Sequence, residues 1–313
     1  MRDTLLEVSN LTKKYQDITA VKNLSFKVKH GEIFGFLGPN GAGKTTSINM
    51  ISGLLKPDSG EIRINGESIG QSGKKYRQLI GLCPQNIVIW ESLTCLEQLE
   101  FMGEMYDLPR KEARKRGMEL LEFLGLTEKM NKFAKTLSGG MQRRLNIALA
   151  LVHKPEIIIL DEPQAGLDPQ SRVLVRDYIR SLAKSATVIL TTHEMDEAER
   201  LSDRVAIIDR GELLVVDTPD NLINTIGWGD VLEVRIAGDK RSIAQDVLSA
   251  LPDQLNKTYK DDLLCIVSSE LLDTLPIILL TLKGFYIKIE DMKMRKRTLE
   301  DVFIALTGRG LRE

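Results

Sequence analysis

The chain has 313 residues, 42% of them hydrophobic and 28% charged, with a net charge of −1. That length suffices for about two domains with separate cores, and the near-neutral balance removes the global basic field that would make nucleic acid a first candidate partner. Three cysteines, Cys83, Cys95 and Cys265, show no metal-type pairing and suit a reducing compartment as buried apolar residues.

Met1-Arg2-Asp3 leads into alternating rather than continuous apolar residues, so no targeting segment is expected. The stretch Leu275–Leu282, interrupted by Pro276, falls far short of the ~20 residues a membrane span requires. The chain is therefore expected not to cross a bilayer by itself.

From Leu5 to Val28 apolar and polar residues alternate, as in Leu24, Phe26 and Val28, and Ile62 and Ile64 repeat the pattern after the turn Lys56–Gly60. An antiparallel sheet flanking a core is predicted. Tyr15 ends the segment Leu11–Tyr15, where an aromatic ring either packs or stacks on a purine. Glu32–Leu37 is an apolar run of buried-strand type. It feeds Gly38-Pro39-Asn40-Gly41-Ala42-Gly43-Lys44-Thr45-Thr46, which fits Gly, four residues, then Gly-Lys-Ser/Thr. Ile48, Ile51 and Leu55 follow at helical spacing, so the loop joins a strand to a helix. The first N–H groups of a helix lack internal partners and its dipole is positive there, so both favour a phosphate. Gly38, Gly41 and Gly43 allow close backbone approach, Lys44 can reach β- and γ-phosphates, and the Thr45 hydroxyl can ligate Mg²⁺, with Thr46 adding a second hydroxyl.

Between Gly81 and about His153 the texture becomes helical, apart from the extended Gly81–Gln85. Glu97–Tyr106 and Arg110–Leu124 are amphipathic, with Pro109 at a helix start. A helical subdomain inserted over about 86–153 is predicted. Leu137-Ser138-Gly139-Gly140-Met141-Gln142-Arg143-Arg144 opens a further helix through Ile147 and Leu151; its Ser-Gly-Gly start is either an ordinary N-cap or a phosphate-accepting terminus.

Pro155–Pro163 reads as a buried strand ending in two carboxylates, and parallel strands present ligand groups at their carboxyl ends. Asp161 is suited to hold Mg²⁺ and Glu162 to polarise the water that attacks the γ-phosphate. Gln164–Pro169 is a loop, Ser171 to about Lys184 a helix, and Thr187–His193 a buried strand with an imidazole at its end. Val205–Asp209 is another core strand, and Gly211 turns the chain into Leu213–Val216. Beyond Thr218, Val231–Ile236, Ile243–Leu251, Leu263–Val267, Leu271–Leu282 and Phe285–Ile289 predict strand, helix, strand, helix, strand.

In order and spacing, Gly38–Thr46, Gln85, Leu137–Met141, Ile157–Glu162, Gly166–Asp168 and His193 resemble the six successive motifs of ATP-binding cassette (ABC) ATPases. Gln85 and Ser138 are 53 residues apart (138 − 85), Ser138 and Asp161 23 (161 − 138), and Glu162 and His193 31 (193 − 162). The resemblance covers residues 1 to about 218. It implies an α/β fold: a P-loop NTPase core with an antiparallel β subdomain and an inserted helical subdomain. Outside the resemblance, the alternation beyond Thr218 predicts a small C-terminal α+β domain over 219–313. By that resemblance Tyr15 stacks on adenine, Gln85 senses Mg²⁺ and the γ-phosphate, and His193 holds the γ-phosphate and the attacking water. Lys44, Glu162 and His193 form the catalytic set, Thr45, Gln85 and Asp161 the Mg²⁺ set. Ser138, Gly139 and Gly140 contact ATP bound to a second subunit, giving a head-to-tail homodimer with ATP sandwiched between copies. Two residues depart from the pattern. Met141 stands where Gln is common, as in the exporter branch, and Gln164-Ala165 replaces Thr-Ser, removing a hydroxyl before Asp168.

The tail Thr298–Gly308 is similar to that of exporter ATPases of the multidrug and antibiotic-resistance type, which work with a separate integral membrane permease. The expected function is thus ATP hydrolysis that drives export, at the cytoplasmic face of the cell membrane. One rival is a soluble cassette ATPase acting on nucleic acid or ribosomes, but the 53-residue interval (138 − 85) leaves no room for the long coiled-coil insertion common there. Another is a regulatory module that binds ATP without turnover, against which Glu162 and His193 argue.

Overall fold

A computed structural model describes residues 3–69, 73–226, 229–236, 241–252, 255–260 and 262–308, and the chain divides into two compact units between Pro219 and Asp220. The first unit begins with β1 (Thr4–Tyr15) and β2 (Ile18–Lys29), an antiparallel hairpin, followed by β3 (Ile33–Leu37) and α1 (Lys44–Ile51). β4 (Ser59–Ile64) and β5 (Glu67–Ser68) complete a four-stranded sheet in the order β2-β1-β4-β5. Next come α2 (Gly73–Leu79), β6 (Ile80–Cys83), α3 (Cys95–Met105), α4 (Arg110–Phe123) and α5 (Gly139–Leu151). β7 (Ile157–Asp161), α6 (Pro169–Leu182), β8 (Thr187–Thr192), α7 (Met195–Leu201), β9 (Arg204–Asp209) and β10 (Glu212–Asp217) close the unit.

The central sheet has six strands in the order β10-β9-β3-β8-β7-β6, parallel throughout except for β10. Its inner strands carry continuous apolar stretches, residues 157–160, 188–190 and 205–208 among them, because both faces are covered. Ile157, Ile159 and Ile189 join Leu6, Val8, Phe26, Phe34 and Ile48 in one core. The alternate residues Ile158, Leu160, Val188 and Leu190 join Leu96, Leu99, Leu121, Leu145 and Ile147 from the helical layer in the other. Period-two side-chain direction thus splits single strands between two cores. Thr94 caps α3 with a reciprocal bond, accepting from Glu97 N–H at 3.2 Å while Thr94 N–H donates to Glu97 at 2.8 Å, which fixes where the helical layer begins.

The second unit contains α8 (Pro219–Thr225), β11 (Asp230–Ile236), α9 (Arg241–Ala250), β12 (Asn256–Lys260), β13 (Leu263–Ser268), α10 (Leu271–Gly284), β14 (Ile289–Arg295) and α11 (Leu299–Thr307). Its antiparallel sheet runs β12-β13-β11-β14 over a core of Leu232, Val234, Val247, Leu264, Ile266 and Ile278. One sequence expectation is corrected here: Phe285–Ile289 is not a strand. Phe285 caps α10, Tyr286 takes a positive φ of 53°, and the strand starts only at Ile289. The reading of Ile243 as an apolar helix position concerns a side chain outside the described residues. No helix among the described residues is long and apolar enough to cross a membrane.

Candidate active site

Four neighbouring parallel strands, in the order β3, β8, β7, β6, deliver one part of the site each from their carboxyl ends. Beyond β3 the glycine loop runs to Gly43, the N-cap of α1 at φ 98°. A Cβ on Gly43 would stand 2.4 Å from the Ala20 carbonyl oxygen, and one on Gly38 would stand 2.3 Å from that of Ile208. Neither position has room for a side chain: packing alone sets the glycine at 38, and packing together with a positive φ sets the one at 43. Lys44 is buried at 6% exposure, and its Nζ donates to the carbonyls of Gly38 at 2.7 Å and Pro39 at 3.0 Å. Burial holds its pKa below the usual value, opposed by the nearby Glu162 and Asp161 carboxylates. An ammonium held by loop carbonyls, beside the free N–H groups of a helix start, fits a phosphate chain.

The Thr45 hydroxyl donates to Asp161 Oδ2 at 3.3 Å, and the Thr191 hydroxyl donates to the other Asp161 oxygen. A hydroxyl and a carboxylate meeting at the phosphate loop are hard-oxygen donors of the kind that suits Mg²⁺. Glu162 follows in a left-handed conformation, φ 45°. Its N–H is held by Thr191 Oγ1 at 3.0 Å and the Thr191 carbonyl at 3.2 Å, bonds that support a backbone setting costing of order 1–3 kcal/mol. That turn ends the strict alternation of β7, and both carboxylates serve one site. Gln85, just past β6, donates from Nε2 to Glu162 Oε2 at 3.2 Å. His193, just past β8, brings Nδ1 to 2.8 Å from Glu162 Oε1, the geometry of an N–H donated to a carboxylate.

The structure thus brings Lys44, Thr45, Gln85, Asp161, Glu162 and His193 together. Tyr15 is 47% exposed at the end of β1, so its ring is available rather than packed, and Lys13 Nζ lies 5.9 Å from the ring centroid. Ser138 caps α5, accepting from Met141 N–H at 3.4 Å, and is exposed together with Gly139. No hydrogen bond among the described residues joins Ser138, Gly139 or Gly140 to the phosphate loop. Asp168 caps α6, with its carboxyl accepting from the Ser171 hydroxyl at 2.6 Å. Of the two departures, Gln164 is buried with its Oε1 unpartnered, and Met141 packs partly buried against the core, while its neighbour Gln142 donates to the Ala134 carbonyl at 3.4 Å.

Sequence reasoning missed Thr191 and Arg143. Thr191 was one of two hydroxyls ending a buried strand, and its partner is fixed only by the parallel register Asp161↔Thr191. Arg143 lay inside the Ser-Gly-Gly segment, and its 2% exposure could be read only from the fold.

A glycine cradle at a helix start, a metal-type oxygen pair and a carboxylate gripped by an imidazole define a P-loop nucleotide hydrolase with an inserted helical layer. Residues 21–165 match the family model described as ABC transporter. The chain is 40% identical to the linearmycin resistance ATP-binding protein LnrL of Bacillus subtilis, over 99% of this chain and 100% of that one. It is 37% identical to the daunorubicin/doxorubicin resistance ATP-binding protein DrrA of Streptomyces peucetius, over 97% and 92%. The Nod factor export ATP-binding protein I of Ralstonia nicotianae is 38% identical, over 99% and 95%. Among solved structures, a dimeric post-hydrolysis state of the cassette MJ0796 bound to ADP and Pi superposes with a TM-score of 0.63 at 30% identity, covering 68% of this chain and 98% of that one. The chain belongs to the ABC transporter family, as an ATP-binding and ATP-hydrolysing protein of the exporter type.

Proposed function

We propose that two copies of this chain close head to tail around two ATP molecules and use their hydrolysis to drive export through a separate integral membrane permease, at the cytoplasmic face of the cell membrane. In this reading residues 1–218 are the nucleotide-binding domain, about 86–153 its helical subdomain, and 219–313 a C-terminal α+β accessory domain. Gly38–Thr46 cradle the phosphates, Lys44 neutralises the β- and γ-phosphates, and Tyr15 stacks on the base. Thr45, Asp161 and Gln85 hold Mg²⁺, which supplies positive charge beside the phosphate oxygens. Glu162 polarises the attacking water, and His193 holds the γ-phosphate and that water while its Nδ1 meets the Glu162 carboxylate. Ser138, Gly139 and Gly140 cap the ATP held by the partner copy. Support for that last role is the exposure of the α5 start, with open space around Gly139.

The permease docks on the helical subdomain, where Trp90 and Phe101 pack edge to face and are both exposed. An exposed apolar cluster of this kind marks a partner surface. Movement of Gln85 carries the state of the nucleotide to it.

The observation that carries the reading is the Glu162 carboxylate, held on one oxygen by Gln85 at 3.2 Å and on the other by His193 at 2.8 Å. Its test is Mg²⁺-dependent ATP turnover of Glu162→Gln. Loss of about 10²–10⁴-fold with ATP still bound is expected for a general base, and equal turnover by wild type and variant would make the assignment wrong.

A further inference from the structure

Arg143 lies in the second turn of α5, buried at 2% exposure, and no ion pair involves it among the described residues. Its Nε donates to the carbonyl of Pro163 at 3.0 Å. Nη1 donates to Pro84 at 2.7 Å and Gln85 at 3.0 Å, and Nη2 to Asp161 at 2.7 Å and Glu162 at 2.9 Å. A guanidinium carries five N–H donors in a fixed plane, and here all five end on main-chain carbonyl oxygens. Burying a cation without a counter-charge is costly, and a set of oriented carbonyl dipoles offsets that cost. The result is geometric: one rigid plane bolts the turn after β6 to the turn after β7.

Those turns carry Gln85 and Glu162, whose side chains meet at 3.2 Å. Three residues along α5, Asn146 accepts from Val88 N–H at 3.3 Å and donates to Cys83 Sγ at 3.3 Å. The helix that begins at Ser138 therefore holds the Gln85 segment on both sides and the Glu162 turn as well.

We infer that Arg143 is a positioning residue for ATP hydrolysis, setting Glu162 and Gln85 as one unit and tying that unit to the Ser138 helix start. The inference rests on the reading of Glu162 as the group that polarises water. In the proposed dimer Ser138 serves the partner's ATP, so any displacement of Glu162 or Gln85 at one nucleotide reaches the other nucleotide through this guanidinium. Lysine offers three donors from one nitrogen and glutamine two from one amide, so neither can span both turns.

The test uses the full chain with Arg143→Lys and Arg143→Gln, each alone and combined with Gln85→Ala. Steady-state ATP turnover and equilibrium binding of radiolabelled ATP are measured. A misplacement on the ångström scale costs about 10²-fold in rate. Expected are a kcat loss of that order, an ATP Kd within about threefold of wild type, and a double variant no slower than the Arg143 variant alone. The positioning role is overturned by a near-normal kcat, by losses that multiply in the double variant, or by ATP binding that falls in step with kcat. Glu162→Gln assayed alongside keeps the two readings apart. Normal turnover there sinks the catalytic assignment, whereas normal turnover of the Arg143 variants beside a dead Glu162→Gln sinks only the positioning role.

Discussion

His193 Nδ1 and Glu162 Oε1 lie 2.8 Å apart, joining the ends of β8 and β7 across the site. Glu162 is 8% exposed, so its carboxylate depends on protein donors rather than bulk water for orientation. Gln85 holds the second oxygen at 3.2 Å. Each donor fixes one oxygen, and losing either leaves the carboxylate free to turn about its terminal torsion.

Replacing His193 with alanine is therefore expected to lower kcat by about 10²-fold while most of the ATP affinity, supplied by the phosphate loop, is kept. His193→Gln restores an N–H donor and should recover part of the loss. Steady-state kinetics with parallel ATP binding decides it. A kcat equal to wild type in His193→Ala would remove the imidazole from the catalytic set.

Much of this arrangement was legible before the fold was known. The phosphate loop reads clearly because Gly38 and Gly43 answer to close carbonyl contacts that no other residue tolerates. β3 and β7 read as mostly apolar runs whose residues are all buried, and β8 shows Val188-Ile189-Leu190 between buried threonines. β14 escaped because five of its seven residues are exposed and charged residues interrupt its pattern, while Phe285, Ile287 and Ile289 imitate alternation around a helix end. β12, Asn-Lys-Thr-Tyr-Lys, carries almost no apolar signal. Arg143 was opaque for another reason: its partners are main-chain carbonyls 18 to 59 residues away, which no side-chain pattern records.

Trp90 and Phe101 stack edge to face with centroids 5.4 Å apart, at 37% and 46% exposure. Covering such a pair contributes several kcal/mol to an interface, since aromatic anchors cost about 2 kcal/mol or more on truncation. Trp90→Asp is expected to abolish recovery with the permease from detergent-solubilised membranes while basal ATP binding stays at the wild-type level. Unchanged co-purification would exclude this surface.

His153 is packed face to face on Tyr106, with centroids 3.7 Å apart and planes 5° from parallel. Its Nε2 lies 3.0 Å from the Ile80 carbonyl oxygen, while its Nδ1 is buried without a partner. Burial lowers its pKa below the ordinary 6.5, opposed by the bond to Ile80. The unfolded chain thus takes up the proton more readily. Stability from this group is complete above about pH 6.5 and is lost as pH falls through the lowered value. His153→Phe keeps the stack and removes the titration, at a cost of about 1 kcal/mol for the lost hydrogen bond at pH 8. Urea unfolding at pH 8, 6.5 and about 5.5 should show the gap between the two proteins narrowing toward acid, and a constant gap would exclude His153 as the source.

In the second unit Arg295 makes a two-pronged pair with Asp301, Nη1 to Oδ2 at 2.7 Å and Nη2 to Oδ1 at 2.9 Å, while its Nε donates to Glu233 at 2.6 Å. Asp301 also accepts from the Thr298 N–H at 2.8 Å, so one carboxylate caps α11 and anchors it to β14 and, through Arg295, to β11. Burial pushes the Asp301 carboxyl up, but Arg295 and the Thr298 N–H outweigh it and hold the group below its usual value of 3.8. Its contribution is therefore present above about pH 3.8 and disappears as pH falls through the lowered value. Asp301→Asn retains the shape and loses the charge, for an expected cost of about 1.5–3 kcal/mol at pH 7. Thermal unfolding followed at pH 7 and at about pH 3 tests both halves: the variant should melt lower at neutral pH, and the difference should shrink in acid. Identical melting at pH 7 would show that α11 is held by Leu299, Val302 and Phe303, all fully buried, without help from the ion pair.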